Sequence, residues 1–326
     1  MDISPRFPLR RLPSLAVEEI LSTMIPFELY NLSKVSTACR LIVKSFSRNI
    51  IHKNYSIHVS NMKHPTIDFG CNKISYGWEL TDEIEKDGIR ISKHEYNRQH
   101  EKIYVYCGGE NLMKKCMEMF MYIKEVFNVS INHFDFRLFE FKELYQAILD
   151  WLLANSQKLE AVYLVCHNEP VALLEHTLNS LTIAKRVHIA GKPSEKCAYS
   201  IPEHFDEVTI DYGEWIRLEN LMSFKASKIR TLHAGLTDVD LNAFLKNWIN
   251  IECLQNLRSL EVTVVDPNLE TVLQDVPHRN QQYQQLGGGV DIDRNDGLVA
   301  SIFVYRVLNF FSMVMTTPLT ASGEST

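Results

Sequence analysis

The first fifty residues constrain the fold of this chain most, because an apolar pattern of helical period occurs there three times. Pro26 lies between the first two patterns, where it ends one helix and suits the first turn of the next. Ser36 precedes the third pattern and is a candidate N-cap. The sequence therefore predicts three short helices. Their apolar positions are Val17, Ile20, Leu21 and Met24, then Leu29 and Leu32 flanked by Phe27 and Val35, then Cys39, Ile42, Val43 and Phe46.

This segment contains more apolar surface than three short helices hide by packing on one another. About 45 residues is marginal for a self-sufficient core. The surplus must be covered either by the rest of this chain, with the helices acting as a cap, or by another protein. The apolar residues outside the main stripes are Leu9, Leu12, Leu15, Phe27, Tyr30 and Leu41.

Four features occur along the N-terminal segment: the run from Phe7 to Pro13, the Ile20-Leu21 pair, the Pro26-Phe27 step and Ser36 before the third helix. In these features, residues 6–50 resemble an F-box. The chain departs from many F-boxes at Cys39 and Arg40, in the region where those carry a tryptophan. The resemblance implies a three-helix module that docks onto the Skp adaptor of a cullin-RING ubiquitin ligase. The expected docking residues are Leu9, Leu12, Pro13, Ile20, Leu21, Pro26, Phe27, Leu29, Leu32 and Val35.

Beyond residue 50, short β-rich segments alternate with helical patterns. From Val162 onward the β-rich segments follow one another at intervals of 21 to 28 residues, which is typical of a leucine-rich-repeat-like solenoid. The Leu/Asn consensus of true repeats is absent, so an α/β sheet domain without solenoid curvature is the alternative. The predicted strands are Val129–Ile131, Val162–Leu164, Val187–Ile189, Val208–Ile210, Leu232–Ala234 and Leu260–Val262, and the predicted helices are Phe141–Asn155, Leu173–Leu181 and Asp238–Ile249.

The run from Leu236 to Ile249 predicts a helix with Thr237 or Asp238 as its N-cap. This run resembles the core motif of the F-box-associated domain of type 2, a family that follows F-boxes in nematodes, and the resemblance extends over residues 200–305. Phe244 and Trp248 share a face of that helix and are expected in the core. The resemblance implies substrate binding and supplies no catalytic residues. Supporting residues are Trp215, Leu218, Leu221, Leu257, Leu260, the run from Asp291 to Gly297, Ala300 and Ile302.

The predicted fold class is α/β, with an N-terminal three-helix F-box followed by an irregular leucine-rich-repeat-like α/β solenoid. The predicted domains are an F-box at 1–50, an α/β repeat-like region at 51–200 and an F-box-associated domain at 201–326. Toward the C-terminal end, Asn295-Asp296-Gly297 predicts a hairpin turn. The polar and glycine-rich segment Gln281–Gly289 is expected to be a mobile loop. The apolar stretch Leu298–Met315 is expected to be buried strand or helix rather than a membrane span.

Charge and cysteine content limit the classes of partner and compartment. The formal net charge of −6 argues against nucleic acid or an anionic membrane as the partner of the whole chain. Residues 1–60 nevertheless carry +4, which either steers an acidic protein partner or reflects a few solvated side chains. Seven scattered cysteines in a chain large enough to bury a core indicate reduced thiols, in the cytoplasm or nucleus.

No motif of an enzyme or metal site occurs in the sequence. Cys-x-x-Cys, phosphate-loop, Gly-x-Ser-x-Gly and His-Glu-x-x-His patterns are all missing. Cys166 and His167 adjoin at a strand end, where neighbouring side chains point to opposite faces. We therefore expect a non-catalytic protein without cofactor. The predicted function is the substrate-recognition adaptor of a Skp–cullin–F-box ubiquitin ligase, with an unidentified protein substrate. The alternative is a repeat scaffold that recruits no ligase.

Overall fold

A computed structural model describes residues 12–49, 55–71, 74–94, 101–157, 159–194, 199–264, 267–283, 287–307 and 310–317. The chain divides into two compact units. The first takes in the described residues of Met1–Asp135 and Gln146–Lys158, and the second takes in those of Phe136–Tyr145 and Leu159–Thr326. The observed class is mixed α/β, with helices first and strands through most of the remainder.

The first unit begins with the three predicted helices and continues into a mixed sheet. Its sheet order is β6-β1-β2-β3-β5-β4, in which β1–β6 and β3–β5 are the parallel pairs. The elements are α1 (Ser14–Ser22), α2 (Pro26–Val35), α3 (Thr37–Asn49), β1 (Ser56–Ser60), β2 (Thr66–Cys71), β3 (Ile74–Thr81), β4 (Arg90–His94), β5 (Glu101–Gly108), α4 (Leu112–Phe127), β6 (His133–Arg137) and α5 (Tyr145–Asn155). The last two elements span the division between the units.

Alternation along β1 and β2 separates the two faces of this sheet. Ile57 and Phe69 lie on the apolar face, where the rings of Phe69 and Phe127 on α4 are 5.5 Å apart between centroids. His58 and Asp68, paired across the two strands, lie on the opposite face. The helices therefore cover one side of the sheet, and polar side chains line the other.

The second unit is built on five parallel strands followed by antiparallel ones. Strands β7 to β11 lie beside one another in chain order, and β11 then pairs with β15 in the order β11-β15-β14-β13-β12. The elements are β7 (Leu159–Val165), α6 (Val171–Ser180), β8 (Ala184–Ala190), β9 (Glu207–Ile210), α7 (Leu218–Ser223), β10 (Lys228–Thr231), α8 (Asp238–Ile249), β11 (Ser259–Val264), α9 (Leu269–Val272), β12 (Arg279–Tyr283), β13 (Gly287–Asp293), β14 (Val299–Val307) and β15 (Phe310–Thr316).

Several local predictions are confirmed in the second unit. Helix α8 has the predicted bounds, and Thr237 is its N-cap, because its hydroxyl accepts the backbone N–H of Asp240 at 3.2 Å. Phe244 and Trp248 are fully buried. The predicted turn joins β13 and β14 as an antiparallel hairpin. Of the described residues, no helix has the length and apolar character needed to cross a membrane.

Three local predictions are wrong. Strand β6 follows Val129–Ile131 rather than including it: α4 ends at the left-handed C-cap Asn128, whose φ is +52°, and β6 begins only at His133. Leu232–Ala234 follows β10 rather than forming it, since His233 has a φ of +56°, which a strand does not contain. Within Gln281–Gly289, the described residues 281–283 and 287–289 belong to strands rather than to a loop, since they pair as β12 and β13 with Gln281 opposite Gly289.

The leucine-rich-repeat-like solenoid remains a prediction, as do the domain boundaries at residues 50 and 200. Consecutive parallel strands agree with one strand per repeat. Between Ala190 and Glu207, however, the described residues form no helix. The antiparallel strands after Val264 also have a different topology from the five parallel ones.

Candidate functional site

Helix α2 packs onto the first unit through an aromatic cluster. The Phe27 ring meets Trp78 edge-on at 5.1 Å between centroids and Tyr76 at 5.9 Å. Tyr30 lies 5.2 Å from Trp78 and 5.6 Å from Tyr122 on α4. Burial raises the pKa of the Tyr30 phenol to about 12, so this hydroxyl stays protonated. The cluster fixes one face of the helical module against β3 and α4.

Polar contacts extend this attachment along α2 and α3. The hydroxyl oxygens of Ser33 and Tyr122 lie 3.0 Å apart. The ammonium of Lys34 sits 3.5 Å from the Tyr122 ring centroid, a cation–π distance. Lys44 pairs with Glu125 of α4 at 3.2 Å. Two of the cations behind the +4 charge of the first sixty residues therefore make contacts within this unit.

Local sequence sets where the second and third helices begin. Pro26 is the first residue of α2, and the N–H of Ile25 donates to the Glu28 carboxylate at 3.0 Å. Before α3, the N–H of Cys39 donates to the Ser36 hydroxyl at 3.1 Å, which confirms the predicted N-cap. The starts of α2 and α3 are thus determined by local sequence signals.

A hollow of about 380 Å³ lies between α1 and α3. Its lining is apolar toward the base, where Leu21 and Phe46 are buried, and half-buried Val17 and Ile42 form its sides. We call it the α1–α3 hollow. Its lining residues are Leu12, Ser14, Val17, Glu18, Leu21, Ile42, Ser45 and Phe46.

Three large apolar side chains of the module project into solvent. Leu15 is 68% exposed, Val35 is 73% exposed and Leu41 is 61% exposed. Leu41 lies on α3 one helical turn before Ser45, a residue that lines the α1–α3 hollow, but Leu41 itself is outside that lining. The three-helix module therefore presents accessible apolar side chains, although the aromatic face of α2 is packed against β3 and α4.

The structure divides the predicted docking residues into three groups. Leu21, Pro26, Phe27 and Leu29 are buried within the first unit, and their role in docking remains a prediction. Phe27 is covered by the rings of Tyr76 and Trp78 on β3. Leu12, Ile20 and Leu32 are half-buried, and Pro13 and Val35 are exposed. Leu9 lies outside the described residues.

Leu15 and Leu41 belong to the surplus apolar residues that the sequence indicates, but not to the predicted docking residues. Both residues interrupt the apolar stripes rather than continue them, so a helical-period search passes over them. The available signal was the mismatch itself: a large apolar residue placed on the polar side of an amphipathic helix has no intramolecular neighbour to bury it.

The neighbouring Cys166 and His167 do not form a nucleophilic pair. Cys166 is buried and its thiol lies 3.5 Å from the carbonyl oxygen of Ala190. Burial raises the pKa of that thiol to about 11, so the reactive thiolate is scarce near neutral pH. Among the residues that the structure describes, no group of three or more His, Cys, Asp or Glu side chains could hold a metal ion.

Comparison with known proteins places two families on this chain. The family model described as "F-box domain" matches residues 9–51, and the one described as "F-box associated", of type FBA_2, matches residues 199–262. The first covers the three helices. The second runs from Tyr199 through α8 to Val262 and stops before the Asp291–Gly297 segment that the sequence resemblance included.

One relative is similar along most of its length. The Skn-1 dependent zygotic transcript 15 protein of Caenorhabditis elegans is 23% identical over 333 residues, which cover 91% of this chain and 94% of that protein. No solved structure shows a significant match to the chain.

Proposed function

We propose that this chain is the substrate-recognition adaptor of a Skp–cullin–F-box ubiquitin ligase. The N-terminal helices would bind a Skp-type adaptor, which connects them to a cullin, and the region beyond residue 50 would bind the substrate protein. The F-box match over residues 9–51 and the F-box-associated match over 199–262 support this role, since such proteins are typically non-catalytic subunits.

The observation that carries the proposal is the apolar surface left on the F-box segment. Leu15 and Leu41 project from α1 and α3, the two helices that form the α1–α3 hollow. Covering one such leucine with a partner stabilises a complex by roughly 1.5–3 kcal/mol. Val35 and exposed Pro13 extend the accessible set. A partner helix laid across α1 and α3 would remove these groups from water.

The proposed mechanism is proximity rather than chemistry by this chain. A substrate held on the second part of the protein would be tethered near a ubiquitin-charged enzyme brought by other subunits. Tethering raises the effective concentration of substrate lysines to the millimolar range for short flexible connections. No residue of this chain takes part in the transfer step.

The scaffold alternative is favoured by one specific observation. One face of α2 packs against the first unit, as the face of a capping helix packs against a repeat array. The residues of that face are Phe27, Leu29 and Tyr30. A cap, however, leaves a polar exterior, whereas Leu15, Val35 and Leu41 remain exposed. Binding of the Skp-type adaptor decides between the two functions.

The test uses the purified full chain and a purified Skp-type adaptor in a calorimetric titration. We expect the double variant Leu15→Ala/Leu41→Ala to weaken adaptor binding by about 30-fold or more, the effect of losing roughly 2 kcal/mol at a hot spot. The matched control is Ile84→Ala/Val239→Ala, which removes two side chains of similar exposure outside the F-box segment. Equal affinity of both double variants and wild type, or no binding by wild type, would contradict the proposal.

A further inference from the structure

A cleft of about 1010 Å³ lies at the carboxyl ends of β7, β8 and β9 in the second unit. Carboxyl ends of neighbouring parallel strands meet at one edge of a sheet, where the loops that follow them build ligand sites. We call it the carboxyl-end cleft. Its lining residues are His167, Asn168, Gly191, Lys192, Pro193, Ser194, Tyr212, Glu214, Trp215 and Arg217.

The cleft continues along the same sheet edge. A second hollow of about 480 Å³ shares Tyr212 and Glu214 with it and reaches the residues after β10 and the last two residues of β11. From β7 to β11 the edge spans four strand spacings, or about 19 Å. That length matches about six residues of extended polypeptide at roughly 3.3 Å each and exceeds most small molecules. The dimensions favour a peptide as the occupant.

The loops that form this edge are held to one another. The N–H of Asn168 donates to the carbonyl of Lys192 at 2.8 Å, and the N–H of Gly213 donates to the carbonyl of Leu232 at 2.9 Å. Gly191, at a φ of +91°, approaches the carbonyl oxygen of Cys166 so closely that a Cβ would lie 1.7 Å from it. A rim fixed in this way loses little conformational freedom when a ligand binds.

Arg217 provides a fixed positive charge in the cleft. One terminal nitrogen of its guanidinium donates to three carbonyl oxygens, of Glu214 at 2.8 Å, Ile216 at 3.3 Å and Gly235 at 3.0 Å. Within the described part of the chain, no carboxylate forms an ion pair with it. The other guanidinium donors remain for a ligand, and a carboxylate accepts two of them in a bidentate pair.

The neighbouring charges are already matched. Lys192 pairs with the Glu214 carboxylate at 2.8 Å and lies 5.1 Å from the Tyr212 ring centroid. Among the described lining residues that are ionised at neutral pH, this leaves Arg217 as the unmatched charge, in a protein whose net charge is −6. Charge complementarity therefore selects an acidic side chain.

Aromatic surface lies next to this charge. Tyr212 is 42% exposed and stacks with His233 at 6.3 Å between centroids. Half-buried Trp215 packs on Tyr199 at 4.3 Å, which holds the indole in place. Rigid aromatic rings of this kind bind apolar side chains at a low entropy cost.

We propose that the carboxyl-end cleft binds an extended acidic peptide segment. An Asp or Glu carboxylate of the segment pairs with Arg217, and a neighbouring apolar side chain packs on Tyr212 and Trp215. If the chain is a ligase adaptor, this segment is the part of the substrate that it recognises; only that last step rests on the proposed function.

The test measures binding of the full chain to three fluorescein-labelled octapeptide libraries. Each is randomised except for one central position, which is Glu, Gln or Lys. We expect the Glu library to bind at least tenfold more tightly than the Gln library, with the preference falling as salt rises. Equal binding of the Glu and Gln libraries, or a preference for Lys, would overturn the proposal. A phosphoserine library that bound tenfold better than Glu would replace the carboxylate as the recognised group.

Variants locate the site and separate it from adaptor binding. Arg217→Gln should abolish the preference for Glu, and Tyr212→Ala should weaken the Glu library without abolishing that preference. Arg230→Gln is the matched control, because Arg230 is an exposed arginine on β10 paired with Glu261 at 3.0 Å. If the Arg217→Gln variant still prefers the Glu library, the proposed role of Arg217 in binding the acidic peptide is wrong. The peptide experiment is independent of adaptor binding. Whether or not the Leu15→Ala/Leu41→Ala variant binds the Skp-type adaptor, we expect it to keep the wild-type preference for the Glu library.

Discussion

The Phe27 ring meets the Trp78 indole at 90° with centroids 5.1 Å apart, and this contact joins the F-box helices to the sheet that follows them. Phe27 is the residue after the helix-starting proline of α2, and Trp78 lies in the middle of β3. Phe27, which the sequence predicts to bind an external partner, is therefore buried against another part of this chain. The exposed leucines of the module, Leu15 and Leu41, lie instead on α1 and α3.

Truncating this contact should destabilise the first unit. Phe27→Ala removes a ring that is 6% exposed and leaves a cavity against Trp78, so we expect a loss of about 3–5 kcal/mol in the free energy of unfolding. Urea denaturation followed by tryptophan fluorescence measures it. Leu15→Ala, at an exposed position of the same module, should stay within about 0.5 kcal/mol of wild type. A Phe27→Ala protein as stable as Leu15→Ala would refute the packing described for α2.

The sheet of the first unit has a glycine that leaves no room for a side chain. A Cβ at Gly77 would lie 2.0 Å from the Asp68 carboxylate and 2.6 Å from the Tyr104 ring. We expect Gly77→Ala to lower the free energy of unfolding by about 1–3 kcal/mol through overpacking. Gly70→Ala is the matched control, since its Cβ would meet nothing closer than 3.5 Å. Chemical denaturation of the two variants should rank them clearly, and a larger loss for Gly70→Ala would contradict the prediction.

The stability of the first unit should depend on the protonation of His58. Burial disfavours the charged imidazole, but the hydrogen bond to Asp135 at 3.0 Å and the charges of Asp135 and Asp68 outweigh it, so the pKa of His58 is raised. A raised pKa contributes stability that is complete below the unfolded value of about 6.5. That contribution is lost as the pH rises through the folded pKa. The free energy of unfolding should therefore fall between pH 6 and pH 8.

Replacing the imidazole isolates this dependence. His58→Asn should lose the part of the pH 6 to pH 8 difference that His58 supplies. His64→Asn should retain the wild-type difference, because His64 lies 3.9 Å from the exposed carboxylate of Asp82 and outside the Asp68–Asp135 cluster. Asp68 adds a slope of the same sign, since burial raises the pKa of its carboxyl as well. Identical pH profiles for His58→Asn and wild type would contradict the assignment.

The stability of helix α8 should depend on the capping hydrogen bonds between Thr237 and Asp240. Thr237 accepts the N–H of Asp240 through its hydroxyl, and the Asp240 carboxylate accepts the N–H of Thr237 at 2.8 Å. Thr237→Ala removes one half of this reciprocal cap and should cost about 1 kcal/mol of stability. Thr237→Ser keeps the hydroxyl and should stay near wild type in thermal and urea unfolding. Equal losses for both variants would show that the cap contributes nothing.

Local sequence signals determined the helices of the F-box segment and α8. Pro26, Ser36 and Thr237 mark helix starts by what their own side chains do, with no need of distant residues. Four of the five parallel strands, β7, β8, β9 and β11, were likewise predicted from short segments rich in β-branched residues. The end of β10 before His233 was not predictable from the sequence. The positive φ of His233 depends on the surrounding fold rather than on its residue type.

The candidate site divides in the same way. The sequence determined that residues 6–50 hold three amphipathic helices with apolar groups to spare. Only the tertiary structure decided which of these groups are covered: Trp78 and Tyr122, far along the chain, pack on Phe27 and Tyr30, whereas Leu15 and Leu41 stay in solvent. The carboxyl-end cleft has no sequence signature, because Arg217 is positioned by the carbonyl of Gly235 and its neighbours by loops brought together from separate strands. Periodicity reports what a helix needs to bury, whereas long-range packing determines what buries it.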